Sequence, residues 1–233
     1  LQDGVGPGCI RLQFSTPLGA YAYDAALRIH AGYVQAEAEA ADGLRAVIGV
    51  RYERGNETVT PVGADTIRIK NDYFLPAATL TWNFATDMQL RASAAKTISR
   101  PQFRELAPQQ FRDPDSDRLF FGNPFLRDSK LYNLEARYEW FFGRDQRFTA
   151  AGFYKRIDNP IEQVGFYTGA DDRLQTGFTY LPRATLYGGE VEAQKYVPLA
   201  DVFDGDFFAT RRLLLLANYT YTKSSIVANG TCV

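Results

Sequence analysis

Polar and apolar positions alternate along this chain. Over residues 131–155, Tyr132, Leu134, Ala136, Tyr138 and Trp140 fall on one side of an extended backbone. Asn133, Glu135, Arg137 and Glu139 fall on the other. Successive side chains of a strand point to opposite faces, so this segment presents one apolar wall and one charged wall. A polar turn, Gly143-Arg144-Asp145-Gln146, leads into a second strand-like run. A soluble, half-buried strand alternates in the same way. The length, about ten residues, and the aromatics gathered at the turn end match a transmembrane β-strand, with lipid on one face and a wet lumen on the other.

The pattern recurs and predicts about eight antiparallel strands. The first covers roughly Ala25–Glu39 and ends at Ala41-Asp42-Gly43. The second, Leu44–Thr58, sets Ala46, Ile48, Val50 and Tyr52 against Arg45, Arg51 and Glu53, and a connection of loop composition follows to about Asn71. The third, Phe74–Phe84, opposes Ala78, Leu80 and Trp82 to Thr79, Thr81 and Asn83. The fourth is Met88–Ser99, followed by the longest connection, Arg100–Ser129. Residues 131–155 supply strands five and six. A long excursion after Ile161 holds short strands near Gln163–Tyr167 and Leu174–Tyr180. The seventh strand is about Thr185–Tyr196 and the eighth Arg212–Lys223, with a turn at 201–207 between them. Connections alternate short and long, the asymmetry of outer-membrane barrels. The predicted fold class is therefore all-β: an antiparallel transmembrane β-barrel, here a partial wall. Aromatics recur at the short turns (Trp82 and Phe84; Tyr138, Trp140, Phe141 and Phe142; Tyr196), as an interfacial girdle would place them. Aromatic core residues near hairpin ends give the same pattern in a soluble sheet.

Composition changes this picture little. Of 233 residues, 26 are Lys or Arg and 27 Asp or Glu, a balance without a nucleic-acid footprint. A mean hydropathy of −0.28 resembles that of a soluble protein, but an apolar outer face and a polar inner face cancel in the average. The longest simple apolar run, Leu213–Ala217, is far too short for a spanning helix. Cys9 and Cys232 lie near opposite ends in loop-like sequence, and two distant cysteines do not establish a disulfide. Residues 1–4 lack the basic and apolar regions of a secretory leader, and residues 229–233 read as the start of a loop. The expectation is an internal piece of a longer protein.

Several segments resemble the barrel of TonB-dependent outer-membrane receptors. These are LRASAAKTISRPQFRELAP at 90–108, Gly122-Asn123-Pro124-Phe125-Leu126, the strand Tyr132–Phe142, GFYKRIDNPI at 152–161, Leu186–Glu192 and Asn218-Tyr219-Thr220-Tyr221. Their order fits, and the resemblance covers about Tyr21 to Lys223. It implies a plugged barrel of about 22 strands, of which residues 1–233 form part of a single barrel domain. It also implies import of a scarce nutrient, such as a siderophore, cobalamin or an oligosaccharide. The energy comes from the TonB–ExbB–ExbD complex, which acts on an N-terminal plug. The plug, its TonB box and the terminal strands are not recognisable here and are expected outside this chain. The implied partners are outer-membrane lipid, the plug, the TonB complex and a small-molecule or oligosaccharide ligand, with no cofactor and no nucleic acid. The implied location is the bacterial outer membrane.

Two groups of residues are candidates for function. In the longest connection, Arg100, Gln102, Phe103, Arg104, Gln109, Gln110, Phe111 and Arg112 combine cations, amides and rings. An arginine fork suits carboxylates and phosphates, and rings offer stacking faces for sugars or chelates. A solvated loop whose arginines pair with Asp113, Asp115 and Asp117 accounts for the same residues. On the charged faces, Arg51, Glu53, Arg91, Glu135, Arg137, Glu139, Glu190 and Glu192 are expected to line the lumen and seat the plug, or to pair across strands.

Catalysis has little support. His30 is the only histidine, no cysteine–histidine cluster has ligand spacing, and no serine sits in a nucleophile turn. Glu190 and Glu192 share a face, as paired glycosidic carboxylates could, but lumen lining explains them more simply. A passive porin-like channel and a soluble all-β carbohydrate-binding module are the alternatives. A plug with a TonB box separates the first from active import, and detergent dependence separates the second.

Overall fold

The computed structural model describes residues 22–112, 118–168 and 171–227. In chain order its strands are β1 (Tyr23–Ala41), β2 (Leu44–Pro61), β3 (Ile67–Ala85), β4 (Met88–Ser99), β5 (Gln110–Arg112) and β6 (Leu119–Phe121). There follow β7 (Ser129–Gly143), β8 (Gln146–Asp158), β9 (Ile161–Thr168), β10 (Asp171–Tyr180), β11 (Arg183–Pro198) and β12 (Arg212–Val227). Eight of them form one antiparallel sheet in the order β1-β2-β3-β4-β7-β8-β11-β12. The remaining four, from the two long connections, form a second sheet in the order β5-β6-β10-β9.

The register of the large sheet sorts the alternation into two faces. One row crosses all eight strands as Glu39, Arg45, Thr81, Arg91, Arg137, Ala151, Glu190 and Thr220. On the opposite face a row runs Ala36, Ile48, Ala78, Ala94, Leu134, Tyr154, Tyr187 and Lys223. Among the described residues no second layer covers this apolar face, and Ile48 and Leu134 remain 59% and 56% exposed. A contiguous apolar face left open by the protein is solvated by something other than water. Rings bound it on both sides. Toward the short turns Trp82 lies 5.5 Å from Phe84, and Trp140 5.1 Å from Phe142. Toward the long connections stand Tyr52, Phe74, Tyr132, Tyr154 and Tyr187, with Tyr52 5.1 Å from Phe74. Trp82 and Phe74 are eight residues apart on β3. At about 3.4 Å per residue and a tilt of about 40°, that places the two rings of aromatics roughly 20 Å apart, close to the apolar band of an outer-membrane barrel.

Two expectations are corrected. The connection after β2 does not run to Asn71: β3 begins at Ile67 and pairs with β2 up to Val59. Residues 67–73 alternate Ile67, Ile69, Asn71 and Tyr73 against Arg68, Lys70 and Asp72. That segment has no apolar face for lipid, because it rises above the membrane and turns its apolar positions onto the second sheet. Tyr196 shares the inner face with Glu192 and Gln194, where the Arg212 guanidinium stands 5.1 Å from its ring, so it is not part of the lipid-facing girdle.

The buried apolar core lies outside the wall. Val59 and the cap residues Leu106, Ala107, Phe120, Leu126 and Phe178 cluster together, with Ile67 and Ile69 packed against them. Stacked rings hold the second sheet, Phe111 on Phe120 at 5.5 Å and Phe120 on Phe178 at 6.0 Å. Val59, Ile67 and Ile69 belong to the inner face of β2 and β3, so the second sheet folds over the lumen side as a cap.

Candidate functional site

The cap is anchored across a break in the wall. β3 and β4 pair only as far as Ala77 and Ala95. The next residue, Pro76, has no N–H to give a ladder and belongs at a sheet edge. Beyond it β3 pairs with β2 alone and β4 with β7 alone. Both ends of the connection 100–128 reach across this notch. At one end, Arg100 Nη2 lies 2.7 Å from Glu53 Oε1, and Arg51 Nε donates to Glu53 Oε2 at 3.0 Å. Gly55 makes room for this, since a Cβ there would meet the Arg100 guanidinium at 2.6 Å. At the other end, Asp128 Oδ2 accepts from Asn71 Nδ2 at 2.9 Å and from the Tyr73 hydroxyl at 2.8 Å.

Glu57 stands beside these anchors, five residues beyond Tyr52 on β2 and therefore above the membrane-spanning part of the strand. It is buried, and its Oε2 has no hydrogen-bond partner among the described residues. Burial and the nearby Asp128 carboxylate push its pKa up to about 7, against the opposing pull of Arg100.

The cap itself is held by its short motifs. A one-turn helix, α1 (Phe103–Leu106), begins where the Gln102 backbone N–H donates to Glu105 Oε2 at 2.8 Å. Gly122 packs against this turn, and a Cβ there would lie 1.8 Å from the Ala107 carbonyl oxygen. Asn123 uses both ends of its amide, donating from Nδ2 to the Phe178 carbonyl at 2.9 Å and accepting from the Phe125 N–H at 3.0 Å. One side chain thereby ties the motif 122–126 to β10.

The structure separates the candidate residues of the loop. Gln109 is buried and donates to the Ala22 carbonyl at 2.8 Å. Phe103 and Phe111 pack into the cap core, and Gln110 opens β5. Gln102, Arg104 and Arg112 are exposed, with Arg104 Nε donating to Gln102 Oε1 at 2.9 Å. Asp113, Asp115, Asp117, Cys9 and Cys232 lie outside the described residues.

The eight charged wall residues all share the inner face. Arg91 pairs with Glu139 at 3.6 Å, Arg137 with Glu135 at 3.3 Å, and Glu192 with Arg147 at 2.6 Å. Glu190 joins no ion pair among the described residues. His30 sits in β1 opposite Arg54. Among the described residues no three His, Cys, Asp or Glu are grouped to hold a metal.

Sequence reasoning missed Asn71, Tyr73, Asp128, Glu57 and Asn123. The alternation of residues 67–73 signalled the first two, whereas Asp128 and Glu57 are recognisable only once the chain has folded back.

A single-layer antiparallel sheet with a lipid-facing apolar band, a charged inner face and a folded cap defines a section of an outer-membrane β-barrel. The model of the TonB dependent receptor-like β-barrel family matches residues 5–231, and the chain belongs to that family, one of transport receptors rather than enzymes. A comparison with curated proteins gives no match. Among solved structures, the chain is similar to the alcaligin outer-membrane receptor FauA from Bordetella pertussis (18% identity, TM-score 0.57), covering 92% of this chain and 33% of that one. It is similar to the copper transporter OprC (16% identity, TM-score 0.63), covering 88% and 29%. It is also similar to the Serratia marcescens hemophore receptor HasR, solved with its hemophore HasA and heme (16% identity, TM-score 0.57), covering 74% and 32%. The chain thus spans about a third of the length of these receptors.

Proposed function

We propose that this chain is a section of the barrel of an energy-coupled importer, with residues 1–233 contributing to a single barrel domain and a plug domain seated against the inner face. The observation that carries this reading is the inner wall itself. Arg and Glu alternate there in cross-strand pairs, Arg91 with Glu139 and Arg147 with Glu192, a surface suited to holding a polar partner by ion pairs and hydrogen bonds. The plug transmits work from the TonB–ExbB–ExbD complex, and the imported ligand is a scarce nutrient, a siderophore, cobalamin or an oligosaccharide. Gln102, Arg104 and Arg112, on the exposed side of the cap, make first contact with it. Arg100, Phe103, Gln109 and Phe111 shape the cap that presents them.

The test is uptake by cells carrying the full-length protein, with ferric chelates, cobalamin and oligosaccharides offered in turn. Uptake of one class, abolished when TonB is removed, is the expected result. Uptake that continues unchanged without TonB overturns energy coupling and leaves a passive channel. Arg104→Ala together with Arg112→Ala should weaken ligand binding about tenfold, the order expected for losing charge-assisted contacts.

A further inference from the structure

The lipid-facing wall carries a concave region at its outer end. Between Ile48 on β2 and Leu134 on β7, strands β3 and β4 present only Ala78 and Ala94. The wall thins there to a groove of about 560 Å³ that runs up to Pro76, where the sheet parts. Tyr132 closes the upper end. The Lys96 ammonium lies 5.9 Å from its ring centroid and the Arg156 guanidinium 5.8 Å.

Charge at this end is one-sided. The two outermost register rows of β4, β7, β8 and β11 on this face hold Lys96, Tyr132, Arg156 and Thr185, then Ile98, Lys130, Asp158 and Arg183. Four cations thus face one carboxylate. Asp158 is shared between Arg156 at 2.9 Å and Arg183 at 3.5 Å, and Lys96 has no ion-pair partner among the described residues.

The occupant follows from this juxtaposition. The groove lies below the outer ring of aromatics, at hydrocarbon depth, where a soluble anion gains nothing. The cations lie at the level of that ring, where the long stems of Lys and Arg carry their charge to the headgroups. An amphiphile with a hydrocarbon tail and a multiply charged anionic head complements both. Two cations flanking one ring suit the several oxygens of a phosphate.

We propose that this groove is a binding site for a phosphate-bearing lipid of the outer leaflet, with one acyl chain laid against Ala78 and Ala94 and the phosphate held between Lys96 and Arg156.

The test is titration of the full-length protein in detergent, followed by native mass spectrometry. The probes are diphosphoryl lipid A, its dephosphorylated counterpart, and inorganic phosphate as competitor. The wild type should retain diphosphoryl lipid A at least tenfold more tightly than the dephosphorylated lipid, and millimolar phosphate should not displace it. Lys96→Gln with Arg156→Gln should lose that tenfold, Lys96→Arg should keep it, and Ala94→Phe should lose binding by filling the groove. Equal retention of the two lipids by the wild type overturns the phosphate contact. Full displacement by phosphate shows a free-anion site instead of a lipid site, and unchanged binding by Ala94→Phe overturns the groove. The wild-type comparison and Ala94→Phe decide the matter if the double variant fails to fold.

Discussion

Arg100 grips Glu53 across a gap above the last β3–β4 ladder pair, Ala77 and Ala95, at 2.7 Å and directly over Gly55. This pair and the Asp128 contacts to Asn71 and Tyr73 fasten the cap to a hairpin, β2–β3, that is not otherwise joined to β4 at that height. Arg100→Ala leaves a largely buried carboxylate with only Arg51. It should loosen the cap by about 1–3 kcal/mol. Limited proteolysis of the full-length protein within residues 100–128 should then quicken roughly tenfold or more, while the heat-modifiable barrel band stays intact. Cleavage at the wild-type rate would show that the pair does not hold the cap.

Glu57 gives the cap a pH dependence of definite sign. Its pKa moves from 4.5 to about 7 on folding. Between those values the folded form binds more protons than the unfolded form, so stability is fully present below about pH 4.5 and falls as pH rises through 7. The charged groups acting on it are Asp128, Arg100 and Glu105. Glu57→Gln should flatten the dependence and stabilise the cap at pH 8 by on the order of 1–3 kcal/mol. Urea unfolding of the cap at pH 5 and pH 8 reads this directly. Wild type that is more stable at pH 8 than at pH 5 contradicts it.

The two faces of β3 should respond oppositely to the same charge. Ala78 lies on the apolar face at the centre of the band between Phe74 and Trp82, and its neighbour Thr79 lies on the inner face. Ala78→Arg should cost about 2–4 kcal/mol of membrane stability, and Thr79→Arg far less. Assembly assayed by folded-band yield distinguishes them, and equal effects would contradict the face assignment.

Gly122→Ala places a methyl group against the Ala107 carbonyl oxygen, where the space is 1.8 Å. The cap must shift α1 or the 122–126 segment, at about 1–3 kcal/mol or more. Hydrogen exchange should rise first at residues 103–107 and at β10, which Asn123 links to the motif. Protection unchanged at both would show that the close packing is not needed.

The wall was legible in the sequence because lipid and lumen impose a period of two. β4 matches its expected bounds, Met88–Ser99, and that Arg51 through Glu192 share one face of the sheet follows from alternation alone. What the alternation hid lies above the membrane. Residues 67–73 have polar side chains where lipid-facing strands have apolar ones, so they read as loop although Ile67 and Ile69 keep the period. The cap was hidden for a different reason. Phe111, Phe120 and Phe178 stack across up to 67 residues of chain, and no local spacing reports such a contact. For the same reason Gln109 reads as a displayed amide in sequence and as a buried tether to Ala22 in the fold.

The missing N–H of Pro76 has a mechanical consequence. Below it, a displacement of β3 must drag β4 through a continuous ladder. Above it, among the described residues, the β2–β3 hairpin and the β4–β7 panel are two leaves joined by side chains. The mouth of the wall is therefore hinged along one vertical seam, and the cap is its clasp: releasing two carboxylates, Glu53 and Asp128, frees the β2–β3 leaf from the β4–β7 leaf while the continuous ladder below Pro76 stays whole.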